Sequence, residues 1–271
     1  MNLKIVMSTK IALVILAGGQ GSRMGFLTNL IPKPIMHVLD ESLLIRQIKQ
    51  AQTTGLKNII VTTQKKYYKN IESELKIAKL KVTLIQNPKH KQGSLPALLY
   101  VLNKIGTDKI IMSFSDLYFI ENPFLTFLKK IGTQKVCLMG VSNIFHKKDL
   151  SNGGLIFLDN NCNVVKIIEK PLKINNKGLR WNGLVFFDRR NKLYLKKFLD
   201  TNNLESPEGD FFEYMRKRGI GFKGILCSDF ININEPQDLI VASLYRIGEA
   251  NNDSNKVKIA KQLREYFLLN K

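Results

Sequence analysis

The chain has 271 residues, of which 44% are hydrophobic and 24% are charged. This apolar content excludes a largely disordered chain and can build a full core in one large domain or two small ones. The longest uncharged apolar run, residues 11–17, is far shorter than the roughly 20 residues that a membrane-spanning helix needs. We therefore expect no membrane partner for this chain.

The net charge of +20 is unusual, with 42 Lys and Arg against 22 Asp and Glu. Such an excess suggests a nucleic-acid partner, because clustered cations bind phosphate backbones. However, 33 Lys stand against 9 Arg and are spread over the whole chain, whereas specific nucleic-acid readers group their Arg. We therefore predict no nucleic-acid partner. An anionic small substrate explains part of the excess at least as well.

The three cysteines, Cys137, Cys162 and Cys227, lie in or near apolar segments and lack the spacing of a metal site. We interpret them as reduced core residues, which is typical of a cytoplasmic protein. The N-terminal apolar run leads directly into a glycine-rich turn and not into a signal-peptide cleavage region. A buried strand is therefore predicted there.

Strand and helix patterns alternate along the first half of the chain. Predicted strands cover residues 11–17, 58–63, 82–85, 109–114 and 135–141, and predicted helices cover 43–51, 67–80, 95–105 and 124–131. This succession predicts a parallel sheet with helices on both faces.

The pattern changes after about residue 150. It predicts a hairpin of 154–158 with 164–168, strands at 184–187 and 222–227, and helices at 192–199, 211–218, from Pro236 onward and at 257–269. The last segment is amphipathic and could dock on the body or on a partner, so a homo-oligomer stays open. One continuous domain with a second lobe fits this organisation.

The first strand runs into the segment Leu16-Ala17-Gly18-Gly19-Gln20-Gly21-Ser22-Arg23-Met24. Closely spaced glycines at a strand end expose backbone N–H groups that can wrap a phosphate chain. A dinucleotide fingerprint would need Gly or Ala at Met24, and a Walker loop would need Lys directly after Gly21, so neither common motif fits. A tight turn explains the glycines equally well, and the cations that follow favour phosphate binding.

Together with Pro32-Lys33-Pro34, this segment resembles the nucleotidyltransferase family that makes nucleotide sugars, the relatives of glucose-1-phosphate thymidylyltransferase and of the GlmU uridylyltransferase domain. The resemblance extends to about residue 245. It implies a Rossmann-like α/β fold with a mixed, mostly parallel sheet flanked by helices and a smaller acceptor-binding lobe. It also implies a single domain over 1–271, with a nucleotide-binding part at about 11–145, an acceptor-binding part at about 146–245 and a C-terminal helix at 254–271.

In the family reaction, a phosphate oxygen of an acceptor attacks the α-phosphorus of a nucleoside triphosphate and pyrophosphate leaves. Positioning and charge neutralisation supply most of the catalysis, since no covalent protein intermediate is needed. The resemblance implies that Arg23 binds the triphosphate and the leaving pyrophosphate. It also implies that Lys33 neutralises charge near the α-phosphate. Asp116 follows the strand 109–114 and matches the family's Mg²⁺ ligand. The implied partners are an NTP and a small phosphorylated acceptor, and the implied cofactor is Mg²⁺.

The second metal ligand is predicted at Asn232, in a segment that resembles the family pattern W-x-D-[IV]-x-T-P-E-D-L. Asn232 replaces the usual Asp, as it does in GlmU-type relatives, and an amide oxygen can bind Mg²⁺. Asp229 stays open as the ligand if the register slips by three residues.

Base recognition is predicted at Gln92-Gly93-Ser94, which resembles the family's loop before a helix, with Gln86 assisting. Gly-Ser ahead of Leu95 is also a plain helix start. The base stays open among uracil, thymine, cytosine and a purine. The predicted nucleotide-binding residues are Leu16, Ala17, Gly18, Gly19, Gly21, Ser22, Arg23, Gln86, Gly93 and Ser94.

Acceptor binding is predicted at Glu169-Lys170, which matches the family's E-K-P. The resemblance places Lys170, a further catalytic residue, on the acceptor phosphate and Glu169 on its hydroxyls, with Gly154 abutting the acceptor. The family's sugar-contacting Asn aligns with Trp181, and Asn182 would need a β-bulge to replace it. Trp181 forms either an apolar or cation-binding wall or a packing residue.

These residues predict an enzyme that joins NMP to a phosphorylated metabolite, with a sugar 1-phosphate for cell-surface polysaccharide as the leading acceptor. A cytidylyltransferase acting on phosphocholine or another non-sugar phosphate is the second hypothesis, favoured by Trp181. A catalytically inactive regulatory subunit of the same fold is the third, although the intact Arg23, Lys33, Asp116 and Lys170 argue against it.

Overall fold

The computed structural model describes residues 11–88, 92–131, 136–143, 153–171, 178–202, 207–251 and 253–269. Its strands are β1 (Ile11–Leu16), β2 (His37–Val38), β3 (Glu41–Ser42), β4 (Asn58–Thr63), β5 (Thr83–Gln86), β6 (Lys109–Phe114), β7 (Leu117–Phe119), β8 (Cys137–Ser142), β9 (Gly154–Leu158), β10 (Val164–Glu169), β11 (Leu179–Asp188), β12 (Phe222–Leu226) and β13 (Phe230–Asn232). Its helices are α1 (Leu27–Leu30), α2 (Leu43–Thr53), α3 (Lys65–Ile77), α4 (Ser94–Lys104), α5 (Pro123–Ile131), α6 (Lys192–Thr201), α7 (Glu208–Lys217), α8 (Pro236–Ala250) and α9 (Ser254–Leu269). Single 3₁₀ turns cover Ser22–Met24, Lys33–Ile35 and Arg189–Asn191.

The centre is a nine-stranded sheet in the order β10-β9-β11-β6-β1-β4-β5, in which β8 pairs with β11 and β12. The block from β6 to β5 is parallel throughout, and β12 runs parallel to β8. In contrast, β11 is antiparallel to β6, β8 and β9. The predicted α/β fold with a mixed, mostly parallel sheet is confirmed.

Helices cover both faces of this sheet, which explains why all six residues of β1 are buried. Leu13 and Ile15 pack on one face with the apolar sides of α2, α3 and α5. Ala12 and Val14 pack on the other face with those of α4, α6 and α7. A strand buried on both faces reads as a continuous apolar run, as the sequence predicted.

The C-terminal segment forms a third packing unit beside the sheet. β13 pairs antiparallel with β7, and the apolar sides of α8 and α9 share a core with Tyr118 and Ile231. The Arg264 guanidinium on α9 donates to Asp229 Oδ2 at 2.7 Å and to the Phe230 carbonyl at 2.9 Å. The amphipathic final segment therefore docks on the body of its own chain.

Three findings differ from the sequence-based expectations. β11 begins five residues before the predicted strand at 184–187, because Gly183, with φ of 82°, interrupts its alternation. Cys162 is exposed in the β9–β10 turn, so the prediction of three core cysteines is wrong for that residue. The short strands β2, β3, β7 and β13 lack a periodic pattern long enough to detect.

Of the helices that the structure describes, none combines the length and the apolarity needed to cross a membrane.

Candidate functional site

A cavity of 430 Å³ opens where the parallel strands β1, β4 and β6 end, at the edge of the sheet where open α/β folds bind ligands. The start of α4 and the glycine-rich turn after β1 form its other walls. The lining residues are Leu16, Gly18, Gly19, Gln20, Lys33, Pro34, Thr62, Thr63, Asn87, Gly93, Ser94, Ala97, Phe114, Ser115, Asp116 and Glu208.

The glycine-rich turn leaves β1 and enters the 3₁₀ turn at Ser22–Met24 through Gly21, whose φ is 65°. A Cβ at Gly21 would lie 2.8 Å from the Thr28 methyl carbon, so both backbone conformation and space require glycine. Among the predicted phosphate-binding residues, Leu16, Gly18 and Gly19 line the cavity. Ala17 is buried beneath the turn, and Ser22 and Arg23 are exposed beyond it.

Four side chains at the cavity form what we call the cation cluster: Arg23, Lys33, Asp116 and Asn234. Lys33 Nζ lies 2.8 Å from Asp116 Oδ2 and 3.4 Å from Asn234 Oδ1. Arg23 Nη2 donates to the same Asn234 oxygen at 3.0 Å. The structure thus brings together three predicted catalytic residues and adds Asn234. Its nearest sequence signal was its place two residues after Asn232.

Of the two predicted metal ligands, Asp116 lies in the turn before β7 and Asn232 ends β13, the strand that pairs with β7. Asn232 pairs with Leu117 on β7, directly after Asp116, and the Ile233 N–H donates to the Asp116 carbonyl at 2.9 Å. Asn232 Oδ1 is buried and accepts no hydrogen bond from the described residues. A carboxylate and an unpartnered amide oxygen are hard oxygen donors, which fit Mg²⁺.

The alternative ligand, Asp229, has both carboxylate oxygens occupied by protein donors. One carboxylate oxygen pairs with Arg264 at 2.7 Å, and the other accepts the Phe230 N–H at 2.8 Å. Within the described ranges, no group of three or more His, Cys, Asp or Glu side chains is arranged to hold a metal ion. A metal at Asp116 and Asn232 would therefore depend on oxygens supplied by the substrate.

The start of α4, where base recognition is predicted, forms one wall of the cavity. Gly93 precedes the helix with φ of 105°, and Ser94 Oγ donates to Glu208 Oε1 on α7. Gln86 is exposed at the end of β5 and is not among the lining residues, whereas the next residue, Asn87, is buried and lines the cavity. Burial raises the pKa of Glu208, and the charge of Asp116 adds to this. Asn87 and Glu208 also line the cavity, and neither was predicted from the sequence.

The end of β10 and the first turn of α7, where acceptor binding is predicted, carry what we call the carboxylate cluster: Glu169, Glu208 and Asp210. Glu169 ends β10 and lies against Gly154 and Gly209, where an added Cβ would crowd or overlap its carboxylate. Burial raises the pKa of Glu169 to about 7, and the charges of Glu208 and Asp210 act in the same direction, opposed by Lys170. Burial also raises the pKa of Asp210. Lys170 is exposed, and its N–H donates to the Gly153 carbonyl at 3.0 Å.

Trp181 and Asn182 lie in the interior and do not line the cavity. Trp181 is 7% exposed, packs edge-on against Phe114 and Phe212, and donates from Nε1 to the Leu184 carbonyl at 3.2 Å. The structure therefore supports the interpretation of Trp181 as a packing residue. β11 does contain a bulge after Trp181. Even so, Asn182 is fully buried, accepts the Leu184 N–H at 3.1 Å and points toward Gly140.

Two curated proteins match parts of the chain. Over 82 residues it is 38% identical to the bifunctional IPC transferase and DIPP synthase of Aquifex aeolicus, covering 30% of this chain and 19% of that protein. Over 157 residues it is 27% identical to the bifunctional sugar-1-phosphate nucleotidylyltransferase/acetyltransferase of Sulfurisphaera tokodaii, covering 58% and 36%. The matches thus span well under half of the length of these relatives.

Solved structures share the fold. A protein described as a glucose-1-phosphate thymidylyltransferase from Bacillus anthracis superposes with a TM-score of 0.76 at 19% identity, covering 86% of this chain and 94% of its own. The inositol-1-phosphate CTP transferase from T. maritima has a TM-score of 0.71 at 17% identity, covering 87% and 94%. Finally, the sequence model of the nucleotidyl transferase family matches residues 12–225. The chain belongs to the nucleotidyl transferase family.

Proposed function

We propose that the chain is an enzyme that transfers NMP from an NTP to a small phosphorylated metabolite and releases pyrophosphate. The observation that carries this proposal is the cation cluster. It holds a guanidinium and an ammonium beside a carboxylate, next to a cavity that a glycine-rich turn borders. Family membership supports the same reaction class.

The reaction breaks the bond between the α-phosphorus and its bridging oxygen and forms one to an acceptor phosphate oxygen. Two anions must approach each other, and negative charge accumulates on the leaving pyrophosphate, so fixed cations supply the stabilisation. Lys33, which is only 7% exposed, lines the cavity and serves the α-phosphate. Arg23 lies on the exposed rim and serves the leaving group. Backbone N–H groups of Gly18 and Gly19 bind the phosphate chain.

Asp116 and Asn232 would hold Mg²⁺, and the unpartnered Asn232 oxygen supports this assignment. When bound, the ion supplies further charge neutralisation on the phosphate oxygens. Lys33 Nζ already contacts the Asp116 carboxylate at 2.8 Å, so the lysine and the metal would share that carboxylate. The chain's own part is to keep the ammonium beside the phosphate-binding turn.

For the acceptor, we propose that Lys170 binds its phosphate and that Glu169 accepts hydrogen bonds from its hydroxyl groups. Three carboxylates around one position favour a ligand rich in donors, which a sugar 1-phosphate is. The relatives named for sugar 1-phosphates support this acceptor. A role in supplying cell-surface polysaccharide from the cytoplasm is part of the same proposal.

A cytidylyltransferase acting on a non-sugar phosphate is the second candidate. The neighbour named as an inositol-1-phosphate CTP transferase favours it. The burial of Trp181 removes the aromatic wall that would have favoured a quaternary ammonium acceptor such as phosphocholine. Within this candidate, a hydroxyl-bearing acceptor such as inositol phosphate therefore fits better.

The test is pyrophosphate release by the purified full chain with CTP, UTP, dTTP and GTP against glucose 1-phosphate, inositol 1-phosphate and phosphocholine, with and without Mg²⁺. We expect Mg²⁺-dependent release with one NTP and a sugar 1-phosphate. Release with inositol 1-phosphate or phosphocholine alone would replace the first candidate by the second. No release with any pair would contradict both candidates and favour an inactive subunit of the same fold.

A further inference from the structure

Asn234 lies beyond residues 12–225, which the family's sequence model matches, in the turn between β13 and α8. The residue is 8% exposed, and its side-chain carbonyl oxygen accepts from Arg23 at 3.0 Å and from Lys33 at 3.4 Å. These two donors come from segments 211 and 201 residues away along the chain. One neutral atom thus joins both proposed phosphate-binding cations.

The position of this oxygen is set by elements other than the phosphate-binding turns. The backbone N–H groups of Asn234 and Glu235 both donate to Asp238 Oδ2 at 2.8 Å, in the capping box that begins α8. The preceding residue, Ile233, is fully buried in the C-terminal core. Arg23, in contrast, is exposed on a single 3₁₀ turn between Gly21 and Gly25, so its long side chain needs a contact from elsewhere to hold one orientation.

We propose that Asn234 is a positioning residue that holds Arg23 and Lys33 toward the triphosphate and keeps Lys33 in place when a metal ion occupies Asp116. This inference rests on the proposed function. A neutral acceptor suits the role, because it orients both cations and leaves their full positive charge available to phosphate. A carboxylate at the same place would orient them and cancel part of that charge.

Hydrogen bonds to charged groups are strong enough that losing them weakens binding by about 10- to 100-fold. We therefore expect Asn234→Ala to bind inorganic tripolyphosphate, a probe that does not depend on the base, at least about 10-fold more weakly than the natural chain. Isothermal titration calorimetry with and without Mg²⁺ measures this directly. Unchanged affinity in the variant would overturn the proposal.

A double-mutant cycle separates positioning from a general structural effect. If Asn234 acts through Arg23, Asn234→Ala should weaken tripolyphosphate binding much less in an Arg23→Ala background than in the natural chain. Equal losses in both backgrounds would contradict the proposal. Gln237→Ala is the matched control, since its side chain contacts Glu235 in the same helix turn and makes no contact with the cation cluster. It should leave the affinity unchanged.

Asn234→Asp carries the test if the alanine variant fails to fold, because it is isosteric and keeps an acceptor oxygen. It should still bind tripolyphosphate more weakly without Mg²⁺, since the new carboxylate offsets the cations, and affinity equal to that of the natural chain would refute the neutral-acceptor argument. If no pyrophosphate is released but the double-mutant cycle shows coupling between Arg23 and Asn234, only the proposed function is contradicted. If the natural chain is active but the two substitutions have additive effects on binding, only this inference is contradicted.

Discussion

The two charged clusters of the site differ in how the protein compensates their charge. In the cation cluster, Lys33 has an anionic and a neutral oxygen within 3.4 Å, and Arg23 has the same neutral oxygen at 3.0 Å. In the carboxylate cluster, burial raises the pKa of Glu169 to about 7, and Lys170, the cation whose charge opposes this rise, is exposed. The first cluster is assembled by the protein alone. The second carries a charge cost that a hydroxyl-bearing ligand would relieve.

The largest effect on activity is expected in the cation cluster, which the protein assembles without a ligand. Asp116→Ala should lower Mg²⁺-dependent pyrophosphate release by about 10²–10³-fold, the usual loss when a positioned charge is removed from an active site. Asp116→Asn should lose a similar share of this activity. Because it keeps an oxygen for Lys33, its circular dichroism and melting curve should stay close to those of the natural chain. Steady-state rates at saturating Mg²⁺ provide the measurement.

Asp159→Ala is the control for that loss, because Asp159 is an exposed carboxylate in the β9–β10 turn, away from the cavity. It should retain full activity. Near-normal rates for Asp116→Ala would show that the cation cluster does not bind the metal, and the contrast between the clusters would lose its catalytic meaning.

A medium effect is expected where β11 packs beside β8. An added Cβ at Gly140 would overlap Asn182 Oδ1 and lie 2.8 Å from its Cγ. Gly140→Ala should therefore lower the free energy of unfolding by about 1–3 kcal/mol, as overpacking of a buried site does. Urea denaturation measures the change.

The side chain of Asn182 can be removed to check the cause. In an Asn182→Ala background, Gly140→Ala should cost nothing further, because the overlapping atoms are gone. If Gly140→Ala is neutral in the natural chain, Asn182 does not point toward β8. It would then be free to face the acceptor, as the sequence hypothesis required.

Much of this molecule could be predicted from local patterns. β4 and β6 have the predicted bounds, because apolar β-branched runs between turn residues identify buried strands. The motif residues Lys33 and Asp116 meet in one ion pair as their assignment to one reaction implied. Both residues could be predicted because short motifs are recognised from residue type and spacing alone.

The remaining features depend on contacts between distant segments. Asn234 reaches Arg23 across 211 residues, and Glu208 reaches Ser94 across 114, so no local window contains either pair. The direction of Asn182 depends on the bulge between Trp181 and Val185, beside Gly183, where the register with β8 shifts. Sequence periodicity cannot locate such a shift.

The smallest effect tests the charge cost of the carboxylate cluster. Because the folded pKa of Glu169 is about 7 against an ordinary value of 4.5, the folded state binds more protons than the unfolded state between these values. Its stability must therefore fall as pH rises through that window. Glu169→Gln removes the charge, so its melting temperature relative to the natural chain should rise from pH 5 to pH 8.

Glu213 on the neighbouring α7 provides the matched variant of opposite sign. Although burial acts against it, hydrogen bonds from Arg216 and from the Ile167 backbone lower the pKa of Glu213 overall. Its ionised form therefore stabilises the fold, and Glu213→Gln should lose stability near neutral pH and approach the natural chain as pH falls. Parallel pH trends in the two Gln variants would show that Glu169 carries no special charge cost. The carboxylate cluster would then be as well compensated as the cation cluster, because a carboxylate with a raised pKa and one with a lowered pKa must give opposite trends.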